Sequence, residues 1–424
     1  MGSIKKRNLV QSGMLALAVL AAVTFTPATT SILSSTAFAG EPDQALDRLE
    51  RLLRSARRVG AVYVMTNGVD GNAVVSFRRA PDGSLRRGRA FDTGGRGTGN
   101  LLENQGSLVL SQGGEWLFAA NPGSDDISVF SVLEGEGLVL VDRVSSGGDR
   151  PLSLTVSEDL LYVVNAGGAN NITGFTIGAD GKLTPLADST RPLSTSAVEP
   201  CPALVRDLGD PTDNLCAAAG PAQIQFSPGG EVLVVTERLT NGTGLIDTYT
   251  VGNDGRTNAL TTRPPAGGLS PFGFDFAQRN LLVATHNFFD GPGLGAAASY
   301  RVAVDGGVST VTPNLSNGQT ASCWLTITNN GRYAYVTNPI SATVTSYSIA
   351  RDGSLSLLQA VTADLSGGDP RDPALTDNGR YLYVLNNTTA VVSAFRVEGD
   401  GSLTLLDFKA ADGFPSGANG LAAR

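Results

Sequence analysis

The sequence predicts an all-β fold, a seven-bladed β-propeller with four-stranded blades, and three observations predict it. A hydrophobic run that ends in Asn or a polar substitute recurs seven times along the chain. Six Asp-Gly pairs lie between alternating strands, and such pairs mark tight hairpins because their turns need positive φ. The unit repeats mostly at about 45 to 55 residues, and four strands at such a period are typical of propeller blades.

Each unit has four parts in a constant order. A short apolar segment such as "PAQIQFSPGG" comes first, and a hydrophobic run such as "RYLYVLN" follows. An alternating strand such as "AVVSAFRV" is third, and an Asp-Gly turn leads into a fourth strand such as "DGSLTLLDF". The hydrophobic runs end at Asn67, Asn121, Asn165, Glu237, His286, Asn338 and Asn386.

The two ends of the chain predict how the ring closes. The first unit begins at Ala61 and lacks the short first segment, whereas the C-terminal "PSGANGLAAR" resembles that segment. We therefore expect residues 418–423 to pair beside the strand at 61–66. This pairing removes an open edge that invites association with other chains.

The N-terminal residues predict a targeting signal over 1–39. Residues 5–7 are basic, 14–25 are apolar, and small residues at 37–39 precede a cut. An uncleaved anchor is the alternative. After cleavage of this signal, we expect an exported protein, secreted or periplasmic, that is not attached to the membrane.

The remaining organisation is a leader and one propeller. Leucines at helical spacing predict a short amphipathic helix within 40–60, with a partly frayed leader as the alternative. The propeller covers 61–424 and carries an insertion at 187–221. Cys201 and Cys216 flank part of this insertion, so we expect them to form a disulfide in an oxidising compartment, with Cys323 left over.

Composition and motif content limit the classes of partner that we expect the protein to bind. The net charge of −8 and the pI near 4.8 argue against a nucleic-acid-binding surface, which needs a clustered basic face. No spaced set of metal ligands stands out, so we expect no metal and no cofactor. We expect a monomer.

Several repeated motifs are distinctive: "YAYVTN", "RYLYVLN", "SPGGEVLVVTER", "ASCWLTITNNG" and the "DGSL" hairpins. By these motifs the chain resembles the seven-bladed lactonase propeller family, which includes bacterial 6-phosphogluconolactonases and fungal 3-carboxymuconate lactonizing (cyclase) enzymes, and the resemblance covers essentially the whole mature chain. It implies a site at the mouth of the central channel with a cluster of His, Arg and Glu, and a small lactone or carboxylate as the partner.

Of that implied cluster, only Glu237 has a clear match. The family's Pro-His-x-His segment is absent, because the comparable place reads "GPAQIQF" with Gln223 where a His is expected. The chain holds one His, His286, in the next blade.

Two adjacent hydrophobic runs have lost the Asn, whose usual role is to satisfy the following turn. This predicts that Glu237 and His286 face one channel mouth as catalytic groups. Glu237 can serve as general base, or as general acid if burial raises its pKa. Arg238 can neutralise a carboxylate or an oxyanion, although strand neighbours point to opposite faces. A Glu237-Arg238 ion pair that closes a blade is the structural alternative.

Weaker candidates for ligand binding lie near the same mouth. They include residues at the starts of first strands and beside the predicted catalytic pair. For some of them a structural role, such as a local salt bridge or packing against a neighbouring blade, is the alternative. These candidates are Arg150, Gln223, Asn287, Trp324 and Arg371.

Two functions remain open. One is a metal-free lactone hydrolase or cycloisomerase centred on Glu237 and His286. The other is a non-catalytic exported propeller that binds a small molecule, glycan or protein on the same face. Convergence of charged side chains in an open channel mouth discriminates between them.

Overall fold

A computed structural model describes residues 60–194, 220–238, 244–258, 260–263, 270–287 and 291–424. The predicted signal peptide, the leader helix and most of the insertion lie outside the described residues. Cys201 and Cys216 do too, so their disulfide stays a prediction. Within the described ranges, no helix combines the length and apolar character that a membrane span needs.

The described residues form seven antiparallel sheets, one for each predicted blade. The strands of blades 1 to 3 are β1 (Gly60–Met65), β2 (Ala73–Arg79), β3 (Leu85–Asp92), β4 (Leu108–Leu110), β5 (Trp116–Asn121), β6 (Asp126–Val132), β7 (Leu138–Ser145), β8 (Asp149–Ser157), β9 (Leu160–Gly167), β10 (Asn171–Ile177), β11 (Leu183–Pro185) and β12 (Arg191–Pro192).

The later blades repeat this arrangement, and the last strand returns to blade 1. The strands are β13 (Pro221–Phe226), β14 (Val232–Glu237), β15 (Leu245–Thr250), β16 (Thr261–Arg263), β17 (Pro271–Ala277), β18 (Leu281–His286), β19 (Ala296–Val302), β20 (Val308–Ser316), β21 (Trp324–Ile327), β22 (Tyr333–Asn338), β23 (Thr343–Ile349), β24 (Leu355–Asp364), β25 (Pro370–Leu375), β26 (Tyr381–Asn386), β27 (Val391–Val397), β28 (Leu403–Asp412) and β29 (Leu421–Ala423).

The predicted closure of the ring is confirmed. Strand β29 pairs antiparallel with β1, with Ala422 opposite Tyr63, and forms the innermost strand of blade 1. Arg424 and Ala61 exchange two further backbone hydrogen bonds of 2.9 and 3.2 Å. The last residues of the chain therefore supply the strand that the first blade lacks.

The first strands of the seven blades surround the central axis. Each of β29, β4, β8, β13, β17, β21 and β25 packs against the next in that order, and β25 packs against β29. The ring is therefore continuous, and these strands line a central channel. The sheets extend outward from it: six are four-stranded, and in blade 3 the two short strands β11 and β12 both pair with β10.

The blades are held together by apolar side chains that alternate along each second strand. In β14, Leu233 and Val235 pack with Tyr162 of blade 3, whereas Val232 and Val234 pack towards blade 5. This alternation follows from the two-residue period of a strand. Every second strand therefore serves two junctions, one on each side of its blade.

The Asp-Gly hairpins also form as predicted, with positive φ at each of the six glycines. Gly83 has φ +88°, and its position shows a second requirement. A Cβ there would lie 2.6 Å from the ring of Tyr381 in blade 7. Glycine therefore serves both the turn and the close approach of neighbouring blades.

The strand-end Asn121 has a different role from the predicted one. We expected each amide to satisfy its own following turn. The Asn121 side chain instead accepts hydrogen bonds from Thr93 and Asn72 of blade 1 and donates to Asp126 and Ser128 of its own blade. It is buried and connects two blades, because an amide both donates and accepts.

Candidate functional site

Four of the channel-lining strands begin with the same local structure. Pro151, Pro221, Pro271 and Pro370 each lie opposite the end of the second strand, and a register shift follows each proline. Proline is tolerated here because the ladder is irregular at this point. The face of the disc at which these strands begin is called the entrance face below.

The residues that follow these prolines occupy equivalent positions in their blades. All four are buried. Three are apolar, and the fourth is an arginine. They are Leu152, Ala222, Phe272 and Arg371.

A segment of the loop before β4, Leu102–Gly106, crosses the channel at this level and is called the plug. Gln105 donates its backbone N–H to Ala222 of blade 4 and its side-chain amide to Leu325 of blade 6. Asn104 accepts from the Trp324 indole at 2.7 Å. Residues 418–420, which lead into β29 of blade 1, are called the closing segment. Asn419 of this segment also donates to Asn104 at 3.0 Å. The plug therefore contacts several blades at once and closes the channel beneath the entrance face.

Above and beside the plug, four cationic and aromatic side chains stack in series. The Arg238 guanidinium carbon lies 4.7 Å from the centre of the Phe272 ring. The Phe272 and Trp324 rings meet edge to face at 4.8 Å, and Arg371 lies 5.0 Å from the Trp324 ring. Glu103 of the plug bonds to Arg371 at 2.7 Å. These five residues, from blades 4 to 7 and the plug, are called the entrance cluster.

Arg371 carries two carboxylate contacts. Its Nη1 donates to Glu103 at 2.7 Å, and its Nε donates to Asp369 at 3.0 Å. Burial by itself lowers the pKa of Arg371, but the two carboxylates outweigh burial and raise it. Arg371 is therefore a permanent cation that is held in a fixed orientation.

Asp372, next in the chain, has a different environment. It accepts a hydrogen bond of 3.2 Å from the backbone N–H of Gly420 in the closing segment. Burial raises the pKa of Asp372 to about 7, which outweighs the lowering effects of that hydrogen bond and of Arg371. This carboxyl therefore changes charge near neutral pH.

Glu237 lies at the junction between blades 3 and 4. Its carboxylate accepts a hydrogen bond of 3.0 Å from the backbone N–H of Ser194, which also donates to Asp247 at 3.0 Å. The Ser194 hydroxyl donates to the other oxygen of Asp247. Glu237 and Asp247 are both buried, so two carboxylates converge on one backbone N–H.

His286 lies at the next junction, between blades 4 and 5. It follows Leu282 and Ala284 on the face of β18 that packs against blade 4. Its Nε2 lies 3.1 Å from the hydroxyl of Tyr300 on β19. Glu237 and His286 are thus equivalent residues at two neighbouring junctions, and their reach to one ligand stays a prediction.

The weaker candidates lie in different parts of the structure. Trp324 and Arg371 join the predicted catalytic residue Arg238 in the entrance cluster, and the Asn287 amide lies 3.8 Å from the sulfur of buried Cys323. The other two candidates are connected elsewhere. Gln223 links blades 4 and 5 through two hydrogen bonds to the backbone of Phe274, and Arg150 donates its backbone N–H to Asp125 of blade 2.

Sequence reasoning missed Phe272 and Asp247; it expected the loop 92–106 on the site's face but did not predict that its residues 102–106 form the plug. Phe272 was detectable, because it follows a strand-initiating proline just as Arg371 does. The plug has no repeated pattern, and its bonding partners are distant in sequence. Among the described residues, no group of three or more His, Cys, Asp or Glu side chains is arranged to hold a metal ion.

Comparison with solved structures places the fold among lactonase-like propellers. A protein from Bacteroides fragilis, provisionally named a 6-phosphogluconolactonase, is 19% identical with a TM-score of 0.63 and covers 87% of this chain and 99% of its own. The periplasmic gluconolactonase of Pseudomonas aeruginosa is 17% identical with a TM-score of 0.65 and covers 86% and 99%. At this identity, the likeness shows the fold alone.

Curated relatives match a smaller part of the chain. Uncharacterized proteins of Staphylococcus aureus are 37% identical over 89 residues, which is 20% of this chain and 26% of theirs. The match therefore spans about a quarter of the length of these relatives.

The sequence model described as "Lactonase, 7-bladed beta-propeller" matches residues 61–200 and 295–416. These two stretches make up more than half of the chain, and the seven sheets agree with the description. The chain is therefore a member of the seven-bladed β-propeller lactonase family.

Proposed function

We propose that this protein hydrolyses a small lactone at the entrance face. The observation that carries the proposal is the entrance cluster, in which Arg238 and Arg371 stack on two aromatic rings at the end of a closed channel. Phe272 and Trp324 are fully buried, so they hold the two guanidiniums in place rather than contact a ligand. A guanidinium stabilises the oxyanion that forms when a lactone carbonyl is attacked.

In this proposal, Glu237 activates the attacking water as general base. It is a buried carboxylate at the end of β14, directly before Arg238, at a position where five other blades carry a neutral Asn amide. The substrate class is a sugar lactone, for which the gluconolactonase and 6-phosphogluconolactonase relatives are the guide. His286 is the second candidate acid–base group.

We also propose that the protein acts after export. The basic residues 5–7 and the apolar residues 14–25 support this proposal, and Cys201 and Cys216 are suited to an oxidising compartment.

The test is a hydrolysis assay of purified protein with glucono-δ-lactone, 6-phosphogluconolactone and an aliphatic δ-lactone, followed by pH-stat titration. We expect Arg238→Gln to lower kcat/KM by about 10² or more, because one oxyanion-stabilising group is lost. The matched control is Arg332→Gln, since Arg332 lies 5.4 Å from the Tyr333 ring but at an exposed position. Equal activity of both variants would reject the assigned role of Arg238.

Binding without catalysis is the second candidate function. It is favoured by the engagement of Arg371 with two carboxylates and of Glu237 with Ser194, since these contacts are also those of a structural network. In this case, the wild-type protein shows no lactone hydrolysis above the uncatalysed rate. Isothermal titration with the same lactones and their aldonates then detects a ligand whose affinity falls in Arg238→Gln.

A further inference from the structure

The ion pair between Glu103 and Arg371 joins two parts of the molecule that are far apart in sequence. Their side-chain atoms lie 2.7 Å apart, although 268 residues separate them along the chain. The Arg371 side chain is 7% exposed and the Glu103 side chain is 27% exposed. Glu103 is therefore the more accessible partner of a nearly buried arginine.

Arg371 already has a carboxylate partner from its own strand region. Asp369, two residues before it, bonds to Nε at 3.0 Å and is 18% exposed. A guanidinium offers five N–H donors in a planar fork, and that of Arg371 packs 5.0 Å from the centre of the Trp324 ring. Glu103 occupies Nη1, one of the donors with which an arginine also binds the carboxylate or phosphate of a ligand.

The backbone of Glu103 is in the left-handed region, with φ +50°. A non-glycine residue there is uncommon and costs conformational energy, and such residues cluster at sites where strain serves function. Glu103 belongs to the plug, whose neighbours Asn104 and Gln105 are bonded to other blades. The plug therefore stays in place when the Glu103 side chain leaves Arg371.

We propose that Glu103 is a specificity-determining residue that occupies the anion-binding position of Arg371 until an anionic ligand displaces it. The ligand class is a small carboxylate or phosphate, such as an aldonate or a phosphorylated sugar acid. A neutral sugar has no charge with which to compete against Glu103. Naming sugar acids rests on the proposed lactonase function, whereas anion binding at Arg371 does not.

The test measures binding of D-gluconate, 6-phosphogluconate and neutral D-glucose by isothermal titration at low salt, with the purified full chain. Glu103→Gln removes the competing charge, so we expect gluconate and 6-phosphogluconate to bind about tenfold more tightly and glucose to be unchanged. The matched control is Asp369→Asn, which changes the net charge equally beside the same guanidinium but leaves Glu103 in place.

Removing the arginine completes the design. We expect the double variant Glu103→Gln/Arg371→Gln to lose the gain in anion affinity, because the guanidinium that binds the anion is absent. The variant has two neutral amides in place of the ion pair. Its melting curve checks that it folds. An equal gain in Glu103→Gln and Asp369→Asn would show a general charge effect and overturn the proposal. Unchanged affinity in Glu103→Gln would show that the pair only fastens the plug. A gain without lactone hydrolysis supports this inference while rejecting the proposed function.

Discussion

The junction at Asn121 and the junction at Glu237 occupy equivalent places in the ring but use different chemistry. At the first, the neutral amide of Asn121 accepts from Thr93 and donates to Ser128, both at 2.8 Å. At the second, the Glu237 carboxylate and Asp247, which takes the place of Ser128, both accept from the N–H of Ser194. The same position thus carries a neutral amide in blade 2 and a carboxylate in blade 4.

The difference shows which features the ring requires. An amide both donates and accepts, so it connects two blades without a buried charge. An ionised carboxylate only accepts, and burial of its charge is costly unless it is paired and hydrogen-bonded. Since Asn suffices at other blades, ring closure does not explain Glu237. Departures from a local rule are expected at functional sites.

The part of the chain that the family model leaves unmatched contains the two strand ends that lack Asn. The matched stretches, 61–200 and 295–416, include all five Asn strand ends, whereas Glu237 and His286 lie between the two stretches. The scaffold continues through this region, because blades 4 and 5 keep the four-stranded topology. Blades 4 and 5 thus combine a retained fold with changed strand-end chemistry.

The largest expected effect on stability is at the Asn121 junction. Asn121→Ala should lower the free energy of unfolding by about 3 to 4 kcal/mol, because several buried donors and acceptors lose their partner. Urea denaturation followed by tryptophan fluorescence measures this change. The control Asn378→Ala alters an exposed turn residue and should cost about 1 kcal/mol or less. Equal losses in the two variants would contradict the bridging role of Asn121.

At the acidic junction, Glu237→Gln should affect activity more than stability. The amide keeps the size and still accepts from Ser194, so the free energy of unfolding should change by about 1 kcal/mol or less. The rate of lactone hydrolysis should fall by about 10² to 10⁴, as expected for loss of an acid–base group. The exposed Glu231→Gln on the same blade is the control. A variant that melts earlier but keeps full activity would make Glu237 a structural connector.

Asp372 is a buried carboxyl at another place in the ring, and it tests how much stability is lost when such a group ionises. Its pKa is raised to about 7 by burial, whereas the unfolded value is about 3.9. Between these values the unfolded chain loses the proton first, so stability should fall as pH rises from about 4 to 7. Asp372→Asn should remove this decline and raise stability at pH 8 by about 1 to 4 kcal/mol.

Chemical denaturation of both proteins at pH 4, 5.5, 7 and 8 measures the effect of Asp372. The control Asp70→Asn alters an exposed carboxyl and should leave the pH dependence unchanged. The assignment fails if wild type and Asp372→Asn lose stability in parallel over this range.

The smallest expected effect is at His286. His286→Asn restores the residue type found at other strand ends but loses the contact to Tyr300, so the free energy of unfolding should fall by about 1 kcal/mol. Tyr300→Phe removes the same contact from the other side and should cost a similar amount. If activity drops only in His286→Asn, the His286 side chain has a chemical role. If activity is equal in His286→Asn and Tyr300→Phe, His286 has only a packing role.

Much of the fold could be predicted because each blade repeats the same local signals. The Asp-Gly turns, the two-residue alternation and the resemblance of the last residues to a first strand all act over short distances in sequence. The strand ends at Glu237 and His286 were detectable for the same reason, as departures from a repeated residue. The role of Asn121 was predicted wrongly, because two of its partners, Asn72 and Thr93, lie in the preceding blade.

The sequence by itself determined the blade, the number of blades and the closing strand, because a repeat imposes the same pairing wherever it occurs. Only the tertiary structure decided that Glu103 meets Arg371, that Phe272 lies between Arg238 and Trp324, and that the plug closes the channel. These contacts bring together inner strands, the plug and the end of one second strand, which converge at the axis from distant parts of the chain. No local pattern encodes that convergence, because it depends on how all seven blades pack around one centre.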